Sequence, residues 1–189
     1  MSGERTALKE WAVLVDAMAR GEIVAMVRKG GIREQRAGFA VRHDRFLLYP
    51  TYFHERLADL APRFADALAS AHATRPPDGV LRLHYVADVA GVWSVHDLDR
   101  LRAIEHEHGL SRSAVESRFH YRGKPGVQVV AVRLARLPAV VTVPEQQRYL
   151  GCVSWVELDD DVDVAGAVPV LADNALEARV ARLADALEG

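Results

Sequence analysis

Val127-Gln128-Val129-Val130-Ala131-Val132-Arg133-Leu134-Ala135-Arg136-Leu137 is the stretch on which the fold class turns. Apolar, largely β-branched residues run through it with Arg133 and Arg136 among them, the pattern of a strand. Pro125-Gly126 stands just before it. That pair is type II turn chemistry, with Pro at the second position and Gly supplying a positive φ at the third. Upstream, Val80-Leu81-Arg82-Leu83-His84-Tyr85-Val86 reads as another strand, introduced by Arg75-Pro76-Pro77-Asp78-Gly79, the clearest loop in the chain. That loop is the best candidate for a subdomain seam.

Working outward, Leu8, Trp11, Ala12, Val15 and Met18/Ala19 recur at helical spacing, which predicts an amphipathic helix over residues 6–20, ended by Gly21. Ile23 to Val27, Phe39 to Val41 and Phe46 to Tyr49 read as short strands. Thr51 is positioned to cap a helix over residues 52–73, divided at Pro62. Ser94 and Ser111 are caps for two further helical segments, the first running to about His108. Cys152 to Leu158 makes a last strand, and Leu176, Val180, Leu183 and Leu187 form one face of a C-terminal helix. Strands and helices without a βαβ rhythm point to an α+β class: a small mixed or antiparallel sheet with flanking helices, a barrel-like second half being one form open to it. One domain over residues 6–158 is expected, with residues 159–189 as an acidic tail and helix.

Length and composition allow a real core, half of the 189 residues being hydrophobic. No apolar run approaches the roughly 20 residues a bilayer span needs, and the N-terminus has no apolar signal region. A lone Cys152 excludes an internal disulfide, so a cytoplasmic compartment is expected by elimination. From Glu157 onward nine acidic residues face two arginines, a balance of −7, which leaves residues 1–156 at about +5 out of a total of −2. Arg28 to Arg45 carries six basic residues against Glu34 and Asp44. A basic body with an acidic tail suits an anionic partner such as nucleic acid, and equally suits a solvated surface.

Arginine is the default cation here, 21 of 24, so the three lysines mark places to look: Lys9, Lys29 and Lys124. Lys29-Gly30-Gly31 follows a strand, and two glycines can turn successive N–H groups inward as an anion nest. With Arg28, Arg33 and Arg36 nearby it could hold a phosphate; a tight turn is the competing reading. Lys124 lies in Gly123-Lys124-Pro125-Gly126, which is no Walker A sequence, and reads as a turn residue or a phosphate contact. Tyr49-Pro50-Thr51-Tyr52-Phe53-His54 is the most site-like phrase. At a strand end and helix start it would favour anions and leave His54 suited to accept a proton; aromatic packing around a cap explains it too.

No defensible metal site, cofactor fingerprint or nucleophile elbow is present. The lone Cys152 reads as a small buried hydrophobe. A metal nuclease of the restriction type needs an acidic residue two before a Lys, and Ala7, Val27 and Arg122 stand there instead. That counts against the chain cutting DNA itself.

Leu8-Lys9-Glu10-Trp11-Ala12, Arg28-Lys29-Gly30-Gly31-Ile32-Arg33-Glu34, Phe46 to His54 and Gly151 to Leu158 occur in order. Together they resemble the bacterial family called domain of unknown function 1802, over about residues 6–158. The chain departs from that family's pattern at Phe53, where a Glu follows the tyrosine. The resemblance implies an uncharacterised activity and an association with restriction-endonuclease-like partners. The second half, with Glu116-Ser117-Arg118-Phe119, a turn and alternating strands, also resembles small RNA- or modified-base-binding barrels of the pseudouridine-synthase-associated kind.

Two functional expectations from different classes follow. One is a non-catalytic module that engages nucleic acid, with Lys29, Arg33, Arg36, Lys124 and Arg133 on phosphates and Tyr52, His54 or Trp155 on bases. The other is a small enzyme on a phosphorylated or nucleotide-like substrate, with His54 as base and Lys29 as electrostatic stabiliser. A structural partner subunit is the third. Whether the chain is an enzyme is left open by its residues.

Overall fold

The computed structural model describes residues 3–29, 41–151 and 153–189. Among the described residues seven strands form one mixed sheet: β1 (Gly3–Trp11), β2 (Ala25–Arg28), β3 (Arg45–Thr51), β4 (Val80–Val95), β5 (Val127–Pro144), β6 (Trp155–Asp163) and β7 (Val168–Pro169). The order is β2-β5-β4-β3-β1-β6, with β7 pairing β5. Among the described strands only β1 and β3 run parallel, with Lys9 opposite Tyr49 and Trp11 opposite Thr51. Among the described residues five α-helices flank the sheet: α1 (Ala12–Ala19), α2 (Ala65–Ala73), α3 (Leu98–Ala103), α4 (Arg112–Phe119) and α5 (Asp173–Glu188). The expected α+β class is what the chain adopts, as an open mixed sheet that does not close into a barrel.

The β4–β5 pair is the backbone of the fold, its register running from Val80↔Pro144 to Val95↔Val127. Shifts between Leu83 and Tyr85 and between Val89 and Gly91 bend it. At the second bend a Cβ on Gly91 would lie 2.3 Å from Cη2 of Trp93, so the indole occupies the space a side chain would need. Alternation along β1 and β3 divides the core in two. Leu8, Phe46 and Leu48 pack with the helices on one face, while Ala7, Leu47 and Tyr49 pack with Leu83, Tyr149 and Leu158 on the other. Both strands are therefore buried on both faces, as interior strands should be.

Several expectations are corrected. Residues 6–11 are strand, not helix; only Ala12–Ala19 is helical, and Gly21 at φ 70 closes it. The apolar positions Leu8 and Trp11 fit a helical spacing, but an interior slot between β3 and β6 satisfies more of their surface and backbone. Residues 52–56 are not helical either; two 3₁₀ turns, Leu57–Asp59 and Pro62–Phe64, precede α2. Ser94 lies inside β4, and Asp97 caps α3 by accepting from the Asp99 amide at 2.9 Å. Ser111 does cap α4, accepting from the Ala114 amide at 3.2 Å.

Leu176, Leu183 and Leu187 of α5 join the helix-side core. Arg179 fastens α5 further: it ion-pairs with buried Glu107 and donates to the Gly21 carbonyl at 2.6 Å. Among the described residues no helix is long and apolar enough to cross a membrane.

Candidate functional site

A cleft of about 600 Å³ opens where β1 and β3 end side by side. Its walls come from elements distant in sequence. The ends of β1, β2 and β3 supply Lys9, Glu10, Trp11, Lys29 and Tyr49, and the segment after β3 supplies Tyr52, Phe53 and His54. The loop before β4 brings Arg75, β4 itself Arg82, α4 Arg118, and the end of β5 Glu145.

The sheet curls enough to make this hollow. Arg28 of β2 donates to the Lys9 carbonyl and to Glu10 of β1, both at 3.0 Å, although three strands separate β2 from β1 in the sheet. Glu10 is 2% exposed and is held as an acceptor by the Trp11 amide as well, at 2.8 Å. This pair forms part of the cleft lining.

Arg118 stands in the lining as a half-buried cation. Its guanidinium donates to the Val27 carbonyl at 2.7 Å, lies 5.1 Å from the Trp11 ring centroid and forms no ion pair among the described residues. Burial holds it below the usual arginine range, with Arg28 adding to that and Glu10 opposing it. Arginine stays charged through any such shift, so a partly desolvated positive charge faces the cleft. Arg82, exposed at the rim, likewise has no acidic partner among the described residues.

Opposite in character is the end where Tyr49 meets Glu145. The buried Tyr49 hydroxyl donates to the Glu145 carboxylate in a short hydrogen bond. Burial, then that carboxylate, pushes the phenol far above its ordinary range, so it stays protonated. Lys9 lies 5.4 Å from the Tyr49 ring centroid and donates to the Gly151 carbonyl at 3.1 Å.

The segment after β3 is fixed from below. Glu55 has a fully buried side chain, accepts from the Val13 amide at 3.3 Å at the start of α1, and meets His72 of α2 at 2.6 Å. Burial pushes its carboxyl up, against these contacts. Anchored this way, the chain carries His54 at φ 64, the left-handed region, at a cost of about 1 kcal/mol for a non-glycine residue. The same turn leaves Phe53 58% exposed at the mouth. Arg75 covers both neighbouring rings, 5.2 Å from Phe53 and 5.8 Å from Tyr52.

Of the residues singled out from sequence, Lys29, Tyr52 and His54 meet in this cleft. Lys29 directs its ammonium to three backbone carbonyls, Phe119 at 3.0 Å, Gly126 at 2.5 Å and Lys124. Its role as placed is to tie β2 to the α4–β5 connection. Lys124 is exposed and lies outside the cleft lining, touching the site only through that carbonyl. Arg133 sits elsewhere, paired with Asp173 of α5. Trp155 packs edge-on against Phe46 and beside His43, each at 5.1 Å, also outside the lining. Gly30, Gly31, Arg33, Arg36 and Cys152 lie outside the described residues. No helix starts at Thr51, so the helix-terminus argument for His54 falls away.

Tyr49 stands in the site-like phrase and Arg118 in Glu116-Ser117-Arg118-Phe119, but neither is assigned a ligand contact from sequence, and Glu145 and Arg82 are not singled out at all. What sets Arg118 apart is its half-buried place in the cleft wall without an ion pair among the described residues, visible only in three dimensions. Among the described residues no group of three His, Cys, Asp or Glu side chains is placed to hold a metal.

The chain belongs to the family described as domain of unknown function 1802, whose model matches residues 7–182. The match extends through β6 and most of α5. Among curated proteins no match was found. Among solved structures, the ASCH protein from Zymomonas mobilis is similar at 12% identity, covering 76% of this chain and 88% of that one with a TM-score of 0.40. A serine-to-alanine mutant of that protein is similar at 13% identity, covering 95% and 98% with a TM-score of 0.40.

Proposed function

We propose that the protein is a nucleic-acid-binding module that seats one nucleotide of a single strand in the cleft between β1, β3 and β4. The observation that carries this reading is Arg118, a guanidinium without a carboxylate partner among the described residues, in a cleft whose mouth presents the exposed ring of Phe53. A partly desolvated guanidinium favours a phosphate as counter-charge, and arginine matches its geometry. An exposed aromatic ring offers a stacking face to a base. Lys9, Arg75, Arg82 and His54 line the approach, and residues 1–156 carry about +5, which attracts a polyanion. Lys124 and Arg133 would serve the backbone away from the seated nucleotide, while Lys29 holds the wall of the cleft through its three carbonyl contacts. Partnership with a restriction-type protein rests on the family resemblance and adds nothing to the cleft.

A small enzyme on a nucleotide-like substrate is the second reading. What favours it is size: about 600 Å³ is the volume of a small-molecule pocket, and the Tyr49–Glu145 hydrogen bond gives it a polar end. Fluorescence anisotropy with a labelled single-stranded hexanucleotide separates the two. Binding that weakens steeply with salt, exceeds that of a mononucleotide, and falls on Phe53→Ala supports the module. Equal binding of mononucleotide and hexanucleotide supports the enzyme.

A further inference from the structure

We infer that Glu145 and Tyr49 form a base-reading end of this cleft and that they select a nucleotide whose base presents adjacent hydrogen-bond donors, guanine above all. The inference rests on the nucleic-acid reading above and goes beyond it by naming the base.

Glu10 in the lining is neutralised by Arg28, whereas the Glu145 carboxylate has no ion pair among the described residues and would repel a phosphate. Its placement makes the cleft two-ended. The Arg118 end lies against Trp11, and the Glu145 end lies against Tyr49, the β-partner of Lys9. Lys9 and Trp11 are two residues apart on β1, so the strand positions beside the two ends are offset by roughly 7 Å along the strand.

The donor–acceptor inventory of the Glu145 end is fixed. Tyr49 keeps its proton, since burial and the neighbouring carboxylate both raise its pKa, and it directs that proton to Oε1 of Glu145. The other oxygen, Oε2, has no protein partner among the described residues, and the Glu145 amide is held by the Gly79 carbonyl at 2.9 Å. An ionised carboxylate is an acceptor only, with about four lone-pair sites for two oxygens. It therefore waits for donors.

Bases differ in what they offer such a group. Guanine presents a ring N–H and an amino group side by side, the pair that fits two carboxylate oxygens. Adenine and cytosine present one amino donor next to a ring acceptor, which sets a lone pair against the carboxylate. Uracil offers a single N–H between two carbonyls. The order of preference is guanine, then adenine and cytosine, then uracil.

The test uses labelled RNA hexamers of uridine with one internal position changed to guanosine, adenosine or cytidine. Dissociation constants are measured for the full chain and for Glu145→Gln and Tyr49→Phe. The guanosine hexamer is expected to bind about tenfold or more tightly than all-uridine. Glu145→Gln places an amide nitrogen at the reading position, so the preference for guanosine collapses while the all-uridine hexamer binds as well or better. Tyr49→Phe removes the hydroxyl that orients the carboxylate and narrows the preference without reversing it. Four hexamers binding alike, or a guanosine preference unchanged in both variants, overturns base reading and leaves the module intact. Failure of every hexamer to bind overturns both.

Discussion

Glu10 and Arg28 close a 3.0 Å ion pair with side chains 2% and 13% exposed, joining β1 to a strand from which three others separate it in the sheet. The pair is what gives the open sheet its hollow. Curling brings the end of β2 against the end of β1, and the cleft occupies the space the sheet leaves by not closing.

Because the pair is buried, removing one partner strands a charge. Glu10→Ala is expected to lower unfolding free energy by about 3–5 kcal/mol in urea titration. A loss under about 1 kcal/mol would mean that Arg28 is solvated and that the curl is held by other contacts.

Lys29 and the cleft arginines should part company in experiment. Lys29→Met leaves three carbonyls without their donor. A stability loss of about 2 kcal/mol is expected, with little change in the salt dependence of oligonucleotide binding. Comparing urea midpoints with anisotropy titrations checks both halves of that statement.

Phe53 is exposed and its ring lies beside the Arg75 guanidinium. Phe53→Ala should leave stability within about 0.5 kcal/mol while weakening single-strand binding by about 1–3 kcal/mol, roughly 5- to 150-fold. Thermal unfolding and anisotropy on the same preparation decide it.

Acid sensitivity has a separate origin in His108. Burial, the largest influence, lowers its pKa to about 4, with the Leu101 backbone opposing it, and Nδ1 accepts from the Leu110 amide at 3.3 Å. The folded state keeps this imidazole neutral, while the unfolded chain protonates near pH 6.5. Between those values the unfolded state binds more protons, so stability is complete above pH 6.5 and declines as pH falls towards 4. The loss from this group is on the order of 3 kcal/mol. His108→Asn, which retains an acceptor for Leu110, should flatten that window in denaturation curves taken at pH 4 to 7.

What the residues disclosed and what they withheld divide along physical lines. Val127 to Leu137 and the C-terminal helix were legible because their apolar periods are long and unambiguous. Leu8 to Trp11 was not. Its apolar spacing fits both periods, and its neighbours in the sheet, β3 and β6, lie about 40 and 150 residues away. Tyr52 to His54 stood out as a chemical phrase, but its conformation is set by Glu55 reaching α1 and α2, contacts that sequence spacing does not report. Arg118 and Glu145 were silent for a related reason. Each matters through what faces it across the cleft.

The most direct test is the salt dependence of single-strand binding in Arg118→Met, with Lys29→Met as control. Removing one phosphate contact is expected to reduce the slope of log K against log salt by about 0.7 and to weaken binding. An unchanged slope with unchanged affinity would contradict a phosphate at Arg118, and with it the seating of a nucleotide in this cleft.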